Sequence, residues 1–475
     1  MELVSAVPAN IPSELSWWQQ DVRSSFTIKN LPPLSGNIEV DVLIVGGGFT
    51  GMWTALTLKK REPSLRIAIV DAYRCGDGAS ARNGGNVHGY WGALPTLLPM
   101  YGAQKSLEAA ELGTLAQRKL RHFAETHDVW WTEEGYLRVA TSAAQRSKLN
   151  DFMKVAETLG FPSSVRRLSK SNLSELCNSP RFEEGLLFEE GATVHPARLA
   201  HFLREEVISA GVQVYEDTPV LRVSKGEPCQ VNTARGGVTA RDVVLATYTG
   251  TMSVPSVYKA TTLFSSFPVM SNANELELER LNYRVARGIA DLRMFTHYFR
   301  RTRDGRILMG SGSGPIAIGG KHSASDLRSD QRSADRAAIG LQRFFPSIAK
   351  AGIAARWGFP IEVTSDRLPY FGTISGSRIH YGSGYSGHGV NATVIAGECL
   401  ASIILRTADR WSTSPFCKRD RLRFPPEPFR FVGGALIRNA IVTCEDAQDA
   451  GLRQPLIARG IADIPRMIGM RIGTR

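Results

Sequence analysis

Three glycines at fixed spacing carry the clearest chemistry in this chain. Gly46, Gly48 and Gly51 fill the glycine places of G-x-G-x-x-G, within Gly46–Gly47–Gly48–Phe49–Thr50–Gly51. Such a string serves a diphosphate. Gly46 permits a tight turn, Gly48 lets a pyrophosphate approach bare backbone, and Gly51 lets the following helix pack closely on the preceding strand. Asp71, about 20 residues further on, can accept both hydroxyl hydrogens of an adenosine ribose and would repel a ribose phosphate, which disfavours NADP. After it, Gly78–Ala79–Ser80–Ala81–Arg82–Asn83–Gly84–Gly85 is a small-residue loop with several backbone amides and one fixed cation. That composition suits an extended ligand bearing a pyrophosphate.

These residues need particular elements to hold them. Glu39–Val45 reads as a nearly continuous apolar strand leading into the glycines, and Met52–Lys60 as a helix whose positive end faces the phosphates. Ile67–Val70 reads as a second strand that ends at Asp71. The glycine string alone does not choose between NAD and FAD. A simple NAD dehydrogenase would pass from Asp71 into another regular strand–helix unit. The loop over residues 75–86 follows here instead, and it favours FAD.

Bulk properties bound the rest. A chain of 475 residues exceeds what one hydrophobic core usually supports, so two interleaved lobes are expected. An apolar fraction of 43% argues against wholesale disorder. No run of about 18 apolar residues suggests a spanning helix, and the first forty residues do not read as a secretory signal. The six cysteines, Cys75, Cys177, Cys229, Cys399, Cys417 and Cys444, lack metal-ligand spacing and suit a reduced, cytoplasmic setting with no metal site. The net charge of +12 favours anions, yet the arginines are dispersed and no nucleic-acid module is present. It reads as solubility plus a bound pyrophosphate, with no nucleic-acid partner.

From Gly78 onward the sequence resembles the D-amino-acid oxidase superfamily of FAD-dependent oxidoreductases, and within it the gamma-glutamylputrescine oxidase group, whose members carry G-A-S-x-R-N-G-G after the second strand. Matching segments recur in order: Gly191–Leu199, Val212–Tyr215, Thr218–Val220, Asp242–Thr247, the hairpin Tyr298–Gly310, Pro369–Gly372, and Gly384–Tyr385–Ser386–Gly387–His388–Gly389–Val390. The resemblance implies an α/β fold: a Rossmann-like FAD-binding domain of the glutathione-reductase type with an interleaved mixed-sheet α+β substrate domain. Residues 1–37 are expected as an arm anchored by Trp17 and Trp18. Residues 38–125, 190–258 and 352–410 are expected to form the FAD-binding domain, 126–189 and 259–351 the substrate domain, and 411–475 an extension. Expected elements include helices Gln104–His127, Ala143–Gly160 and Phe431–Thr443, and strands Val129–Trp131 and Gly135–Ala140. Ile457–Arg475, with Arg459, Arg466, Arg471 and Arg475 and interrupted by Pro465, reads as a docking tail or as a basic amphipathic helix at a membrane surface.

The resemblance further implies an enzyme that oxidises a C–N bond of an amine, polyamine derivative or N-substituted amino acid to an imine by hydride transfer to flavin, followed by hydrolysis. The cofactor contacts it implies are Gly46, Gly48, Phe49, Thr50, Gly51, Asp71, Ala79, Ser80, Arg82, Asn83, Gly84, Gly85, Val220, Thr247, Gly387, His388, Gly389 and Val390, with the backbone of Val220 meeting the adenine. His88, Tyr298, Arg300, Tyr385 and His388 are the candidates at the reacting end, with Tyr90 and Trp91 nearby. On a strand, Tyr298 and Arg300 share one face.

Three departures narrow the reading. Relatives that oxidise free amino acids clamp the carboxylate with arginines where this chain has Phe359–Pro360–Ile361 and Gly387. Arg300 or Arg306 remains to grip a carboxylate from another direction. Leu308 stands where relatives resembling monomeric sarcosine oxidase carry an oxygen-activating lysine, and no cysteine lies between Arg356 and Asp366 to tether the flavin. FAD is therefore expected to be non-covalent, with oxygen or a quinone as acceptor and an oxidase favoured. The rival readings are an NAD-dependent dehydrogenase, a non-enzymatic flavin- or nucleic-acid-binding protein, and a membrane-associated dehydrogenase feeding a quinone.

Overall fold

The computed structural model describes residues 2–4, 15–161, 164–321 and 325–470. Residues 5–14 of the expected arm, and Arg471 and Arg475 of the tail, lie outside them. The apolar run ending at Val45 forms strand Gly36–Val45, whose inner half is buried on both faces, as strands of a covered parallel sheet are. It pairs in parallel with Ile67–Val70 on one side and Gly236–Leu245 on the other. Gln213–Tyr215 extends the parallel core beyond Ile67–Val70, and Ile379–Ser383 beyond Gly236–Leu245. Cys229–Thr233, Val220–Ser224 and Glu2–Val4 continue this nine-stranded sheet antiparallel, and Tyr370–Thr373 pairs with Ile379–Ser383.

Helices cover the parallel core. Phe49–Arg61 packs against Gly389–Ile404, so closely that a Cβ at Gly397 would stand 2.9 Å from the Trp53 backbone. Gly389–Ile404 is buried over nearly its whole length, with Ile395, Leu400 and Ala401 in the core shared with Met52, Ala55 and Leu58. A helix this apolar is internal, and its buried Glu398 is paired with Arg61 and Lys119.

The second lobe is built on a mixed nine-stranded sheet. Its order is Ile353–Arg356, Thr261–Ser271, Ile307–Ser311, His297–Arg301, Gly288–Asp291, Tyr136–Ala140, Glu184–Phe188, Val165–Leu168, with Phe359–Thr364 on the first half of Thr261–Ser271. Gly288–Asp291 and Tyr136–Ala140 run parallel, and the other pairs of this sheet are antiparallel. Helix Gln331–Phe344 backs the sheet with Ala337, Leu341 and Phe344 against Val269 and Phe299.

Several expected elements change in the folded chain. Residues 353–364, assigned from sequence to the cofactor segment, hydrogen-bond into the second sheet because the long strand Thr261–Ser271 needs partners along its whole length. Val129–Trp131 is not a strand: Trp130 adopts φ 55, and this stretch joins the neighbouring segment only through the Val129 carbonyl, which accepts from the His195 amide at 2.7 Å, and a bridge from Thr132 to Thr193. The helix expected over Gln104–His127 is present and ends at Thr126, and Gly102, at φ 75, separates it from a further helical stretch that begins at Leu94. The tail forms helices Phe429–Asp449 and Leu456–Met467, and Pro465 lies within the last turn of the second instead of interrupting it. Among the described residues no helix is long and apolar enough to cross a membrane.

Candidate active site

The glycine turn is shaped by what it must fit between. Gly46 has φ +107, and a Cβ there would lie 2.5 Å from the Ala246 carbonyl oxygen on the neighbouring strand end. A Cβ at Gly51 would fall 2.0 Å from the Gly46 carbonyl oxygen, so helix Phe49–Arg61 starts directly on the turn. The Phe49 amide donates to Ser80 Oγ at 2.9 Å, which ties the turn to the loop over residues 78–85. Asp71 closes this end, its two carboxylate oxygens accepting from the Gly47 amide at 2.7 Å and the Tyr73 amide at 2.9 Å. Burial nevertheless pushes its carboxyl up to about 7, because two amides do not offset the lost water.

The loop is pinned from outside. Ser16 Oγ donates to the Ala81 carbonyl at 2.7 Å, Trp18 Nε1 to the Asn83 carbonyl at 3.0 Å, and Trp357 Nε1 to the Arg82 carbonyl at 2.8 Å. Asn83 braces it from within, donating to the Ser80 carbonyl at 2.8 Å and accepting from the Gly85 amide at 2.8 Å. These bonds draw the loop's carbonyls away from the cleft that Ala79, Ser80, Arg82, Asn83, Gly84 and Gly85 line. Trp18 belongs to helix Trp17–Ser25 and packs against Ala81 and Ala197 of the first lobe and against Met270 and Leu308 of the second, with Trp17 beside it. His195, which links that arm to helix Pro196–Ser209, sits 3.1 Å from Asp21, and burial brings its imidazole down to about 4.

At the far end of the cleft, helix Gly389–Ile404 begins behind a turn with Ser386 at φ 51 and Gly387 at φ 81. Gly387, Gly389 and Val390 line the cleft, so the positive end of a fully covered helix faces it. Glu362 steadies that turn. Its carboxylate accepts from the Gly384 amide at 2.8 Å and from the Ser383 hydroxyl, while burial pushes its carboxyl up to about 7.

The second lobe supplies the opposite wall. Tyr298 lies between two bare backbones: a Cβ at Gly84 or Gly310 would come within 2.9 or 2.1 Å of its ring. Its hydroxyl meets Ser266 Oγ at 2.9 Å. Phe264, Met294, Phe295, Phe359, Ile361 and Val363 make most of the remaining surface apolar. Tyr385 lines the cleft and bonds Thr50 Oγ1 at 2.6 Å.

Of the residues singled out from sequence, Gly46, Gly48, Phe49, Thr50, Asp71, the loop residues, Val220, Thr247, Gly387, Gly389 and Val390 converge on this one cleft, with His88, Tyr298 and Tyr385. Gly51 serves the helix packing and does not line it. His388 does not line it either; its ring stands edge-on to His88 at 4.9 Å between centroids. Arg300 is turned away altogether: its guanidinium lies 4.9 Å from the Trp18 ring and donates to the Val194 carbonyl at 2.8 Å. Arg306 is likewise engaged, with Asp304 at 2.7 Å and the Ser271 carbonyl at 3.2 Å. Neither grips a ligand in the cleft, because the arm and the adjoining loops reach them first. Tyr90 is buried away from the cleft against Phe416, and Trp91 bonds Thr114 and Glu190.

Sequence reasoning missed Tyr248, Phe264, Ser266, Met294, Phe295, Arg328 and Arg367, which also line the cleft. Tyr248 had a signal, since it follows Thr247 directly. Phe264 and Ser266 had one in their two-residue spacing on a strand. The loop residues Met294 and Phe295 had none.

The family model of FAD-dependent oxidoreductases described as DAO matches residues 41–403. The chain belongs to this family. It is accordingly an FAD-dependent oxidoreductase, and the cleft has what the cofactor requires: side-chain-free backbone at Gly46 and Gly48, a carboxylate at Asp71, and a helix start at Gly389. Among family relatives, the chain is 28% identical over 422 residues to gamma-glutamylputrescine oxidoreductase of Escherichia coli (strain K12), covering 85% of this chain and 93% of the relative. It is 22% identical over 386 residues to sarcosine oxidase subunit beta of Rhizobium meliloti (strain 1021), covering 79% and 87%. Glycine oxidase from Geobacillus kaustophilus superposes with a TM-score of 0.67 at 21% identity, over 81% of this chain and 99% of that one, and so shares the fold.

Proposed function

We propose that this enzyme oxidises the C–N bond of an amine, a polyamine derivative or an N-substituted amino acid to an imine, which water then hydrolyses. The observation that carries this reading is the reacting end of the cleft. Phe264, Met294, Phe295, Phe359, Ile361 and Val363 wall it, while Arg300 and Arg306 are held elsewhere. Such a surface favours a neutral amine with an apolar flank and offers no carboxylate clamp at those two positions. Two relatives whose names specify gamma-glutamylputrescine and sarcosine support the same class.

Bound non-covalently, FAD would supply the acceptor for the hydride. Asp71 would accept the ribose hydroxyls, Val220 would meet the adenine through its backbone, and the amides behind Gly46 and Gly48 would face the pyrophosphate with Arg82. The start of helix Gly389–Ile404 would stabilise negative charge on the ring. His88, Tyr298 and Tyr385 would orient the amine and exclude water, which is positioning work more than proton transfer. Oxygen is the proposed acceptor, and the cytoplasm the proposed compartment.

The test is an anaerobic absorbance titration of the holoenzyme with putrescine derivatives, N-methyl amino acids and D-amino acids, followed by air. Bleaching by the first two classes and rapid return of colour in air are expected. Bleaching by free α-amino acids alone would overturn the substrate reading, and colour that stays lost in air would replace oxygen by a quinone.

A second reading has one specific observation behind it. The tail exposes Phe429, Val432 and Leu436 on one face of a helix, and Leu456, Ile457 and Met467 on the next, with Arg459 and Arg466 alongside. That pattern suits the surface of an anionic membrane, where a quinone would be at hand. Co-sedimentation with vesicles containing phosphatidylserine, lost when Leu456 and Ile457 are both changed to Asp, would favour it over the soluble oxidase.

A further inference from the structure

The wall that faces the substrate is held in shape by a helix outside the family segment. We propose that Glu445 and Arg438, on helix Phe429–Asp449, are positioning residues that set the substrate pocket by fixing the backbone of two loops. The proposal rests on the reading above that the cleft end at Met294–Thr296 receives the substrate.

The first loop joins strand Gly288–Asp291 to strand His297–Arg301, and its Met294, Phe295 and Thr296 line the cleft. It is too irregular to pair with a neighbouring strand, so its amides need other acceptors. Carboxylates take them. Glu445 Oε1 accepts from the Met294 amide at 2.8 Å and the Phe295 amide at 3.0 Å. Asp291 Oδ1 accepts from the Arg293 amide at 3.3 Å and the His297 amide at 3.0 Å. Lys148 Nζ donates to the Leu292 carbonyl at 2.8 Å. The Arg293 side chain completes the anchor, reaching Asp291 at 3.0 Å and Asp449 of the same outer helix at 2.6 Å.

The second loop follows strand Ile307–Ser311, and its Gly312 lines the cleft. Arg438 donates to the Ser313 carbonyl at 2.6 Å and, through Nε, to the Gly314 carbonyl at 3.0 Å. One helix thus grips both loops from behind, and it lies beyond residue 403, where the family match ends. Relatives could share the flavin end of the cleft and still differ in the amine they accept, because this part of the wall is tied to a separate piece of chain.

The mechanism makes a distinction that a purely stabilising helix would not. A glutamine at position 445 retains an oxygen able to accept from both amides, whereas alanine leaves both amides buried without an acceptor. The experiment compares holoenzyme carrying Glu445→Gln, Glu445→Ala and Arg438→Met by steady-state kinetics with the best amine of the panel, and by hydrogen–deuterium exchange over residues 288–316. Glu445→Ala is expected to raise KM about tenfold or more with kcat and flavin content within about twofold, and to speed exchange at residues 292–297. Glu445→Gln is expected to track the parent. Arg438→Met should speed exchange only around residues 312–316 and provides the test if Glu445→Ala does not fold. Unchanged exchange and KM in Glu445→Ala, or a Gln variant as impaired as the Ala one, would overturn the proposal. If no amine bleaches the parent flavin, the functional reading fails while the exchange pattern still decides whether Glu445 and Arg438 hold the loops.

Discussion

The two ends of the cleft are built on opposite principles. The glycine end is made of backbone: a turn at Gly46, a helix start on Gly51, and a loop whose carbonyls are drawn outward by Ser16, Trp18 and Trp357. The other end is made of side chains, Phe264, Met294, Phe295, Phe359 and Ile361, carried on strands and loops that take their shape from distant contacts. A backbone site tolerates almost no change at Gly46, Gly51 and Gly85, since a Cβ at each meets main chain. A side-chain site can be re-cut one residue at a time. The contrast fits a family that keeps one cofactor while its relatives are named for different amines.

The sharpest way to test this contrast is to remove the support of the backbone end. Trp18 is fully buried against that loop, so Trp18→Ala should cost about 3–5 kcal/mol of stability and weaken FAD retention, read by thermal unfolding and by flavin released on dilution. A melting temperature close to the parent's would mean the arm is decoration. Next in size is Gly46→Ala, where a left-handed backbone and a clash with the Ala246 carbonyl together should cost about 2–4 kcal/mol, with FAD affinity falling in step. Asp71→Ala removes the proposed ribose acceptor and should weaken FAD by about 1.5–3 kcal/mol, roughly ten- to a hundredfold. Unchanged affinity there would sink the assignment of this end to adenosine.

The smallest effect is a pH dependence. The Asp71 carboxyl sits at about 7 because burial disfavours its charge. Ribose hydroxyls favour the charged form, so FAD binding would release a proton from whatever fraction is protonated. Affinity should therefore be constant above pH about 8 and fall by up to tenfold per unit below about 7. Calorimetric titration of the apoprotein at pH 6, 7 and 8 reads this directly, and a flat profile would refute it. The parent's own stability carries a separate acid-side term. His195 is held neutral, its pKa lowered to about 4, so its contribution is complete above about 6.5 and is lost as pH falls toward 4.

What could be read from sequence follows the same division. Gly46–Gly51, Asp71 and Gly78–Gly85 act through local backbone geometry, which contiguous residues encode, and they occupy the expected places. Arg300 was misread for an instructive reason. Alternation along strand His297–Arg301 correctly puts it on the same face as Tyr298, yet Trp18, from the far end of the chain, covers that part of the face. Period-two reasoning finds a face but not what lies on it. His388 was drawn into the site because its neighbours Gly387 and Gly389 belong there, while its own ring packs edge-on against His88. Glu445 left no trace at all: it falls two residues beyond the helix expected from sequence, and a carboxylate near a helix end looks like solvated surface until the fold brings Met294 and Phe295 to it.

The parallel sheet also sets a timetable for biosynthesis. Its central strands come from residues 36–70, 213–245 and 379–383, and the last wall of the cofactor cleft starts at Gly389. A ribosome must therefore have passed well beyond residue 390 before a nascent chain owns anything that could capture FAD. The earlier glycine turn, although complete in sequence by residue 51, emerges with strand Gly36–Val45 lacking its neighbour Gly236–Leu245 and with both faces uncovered. Cofactor loading is in consequence expected late in synthesis, once the distant strands and helix that wall the cleft have come together.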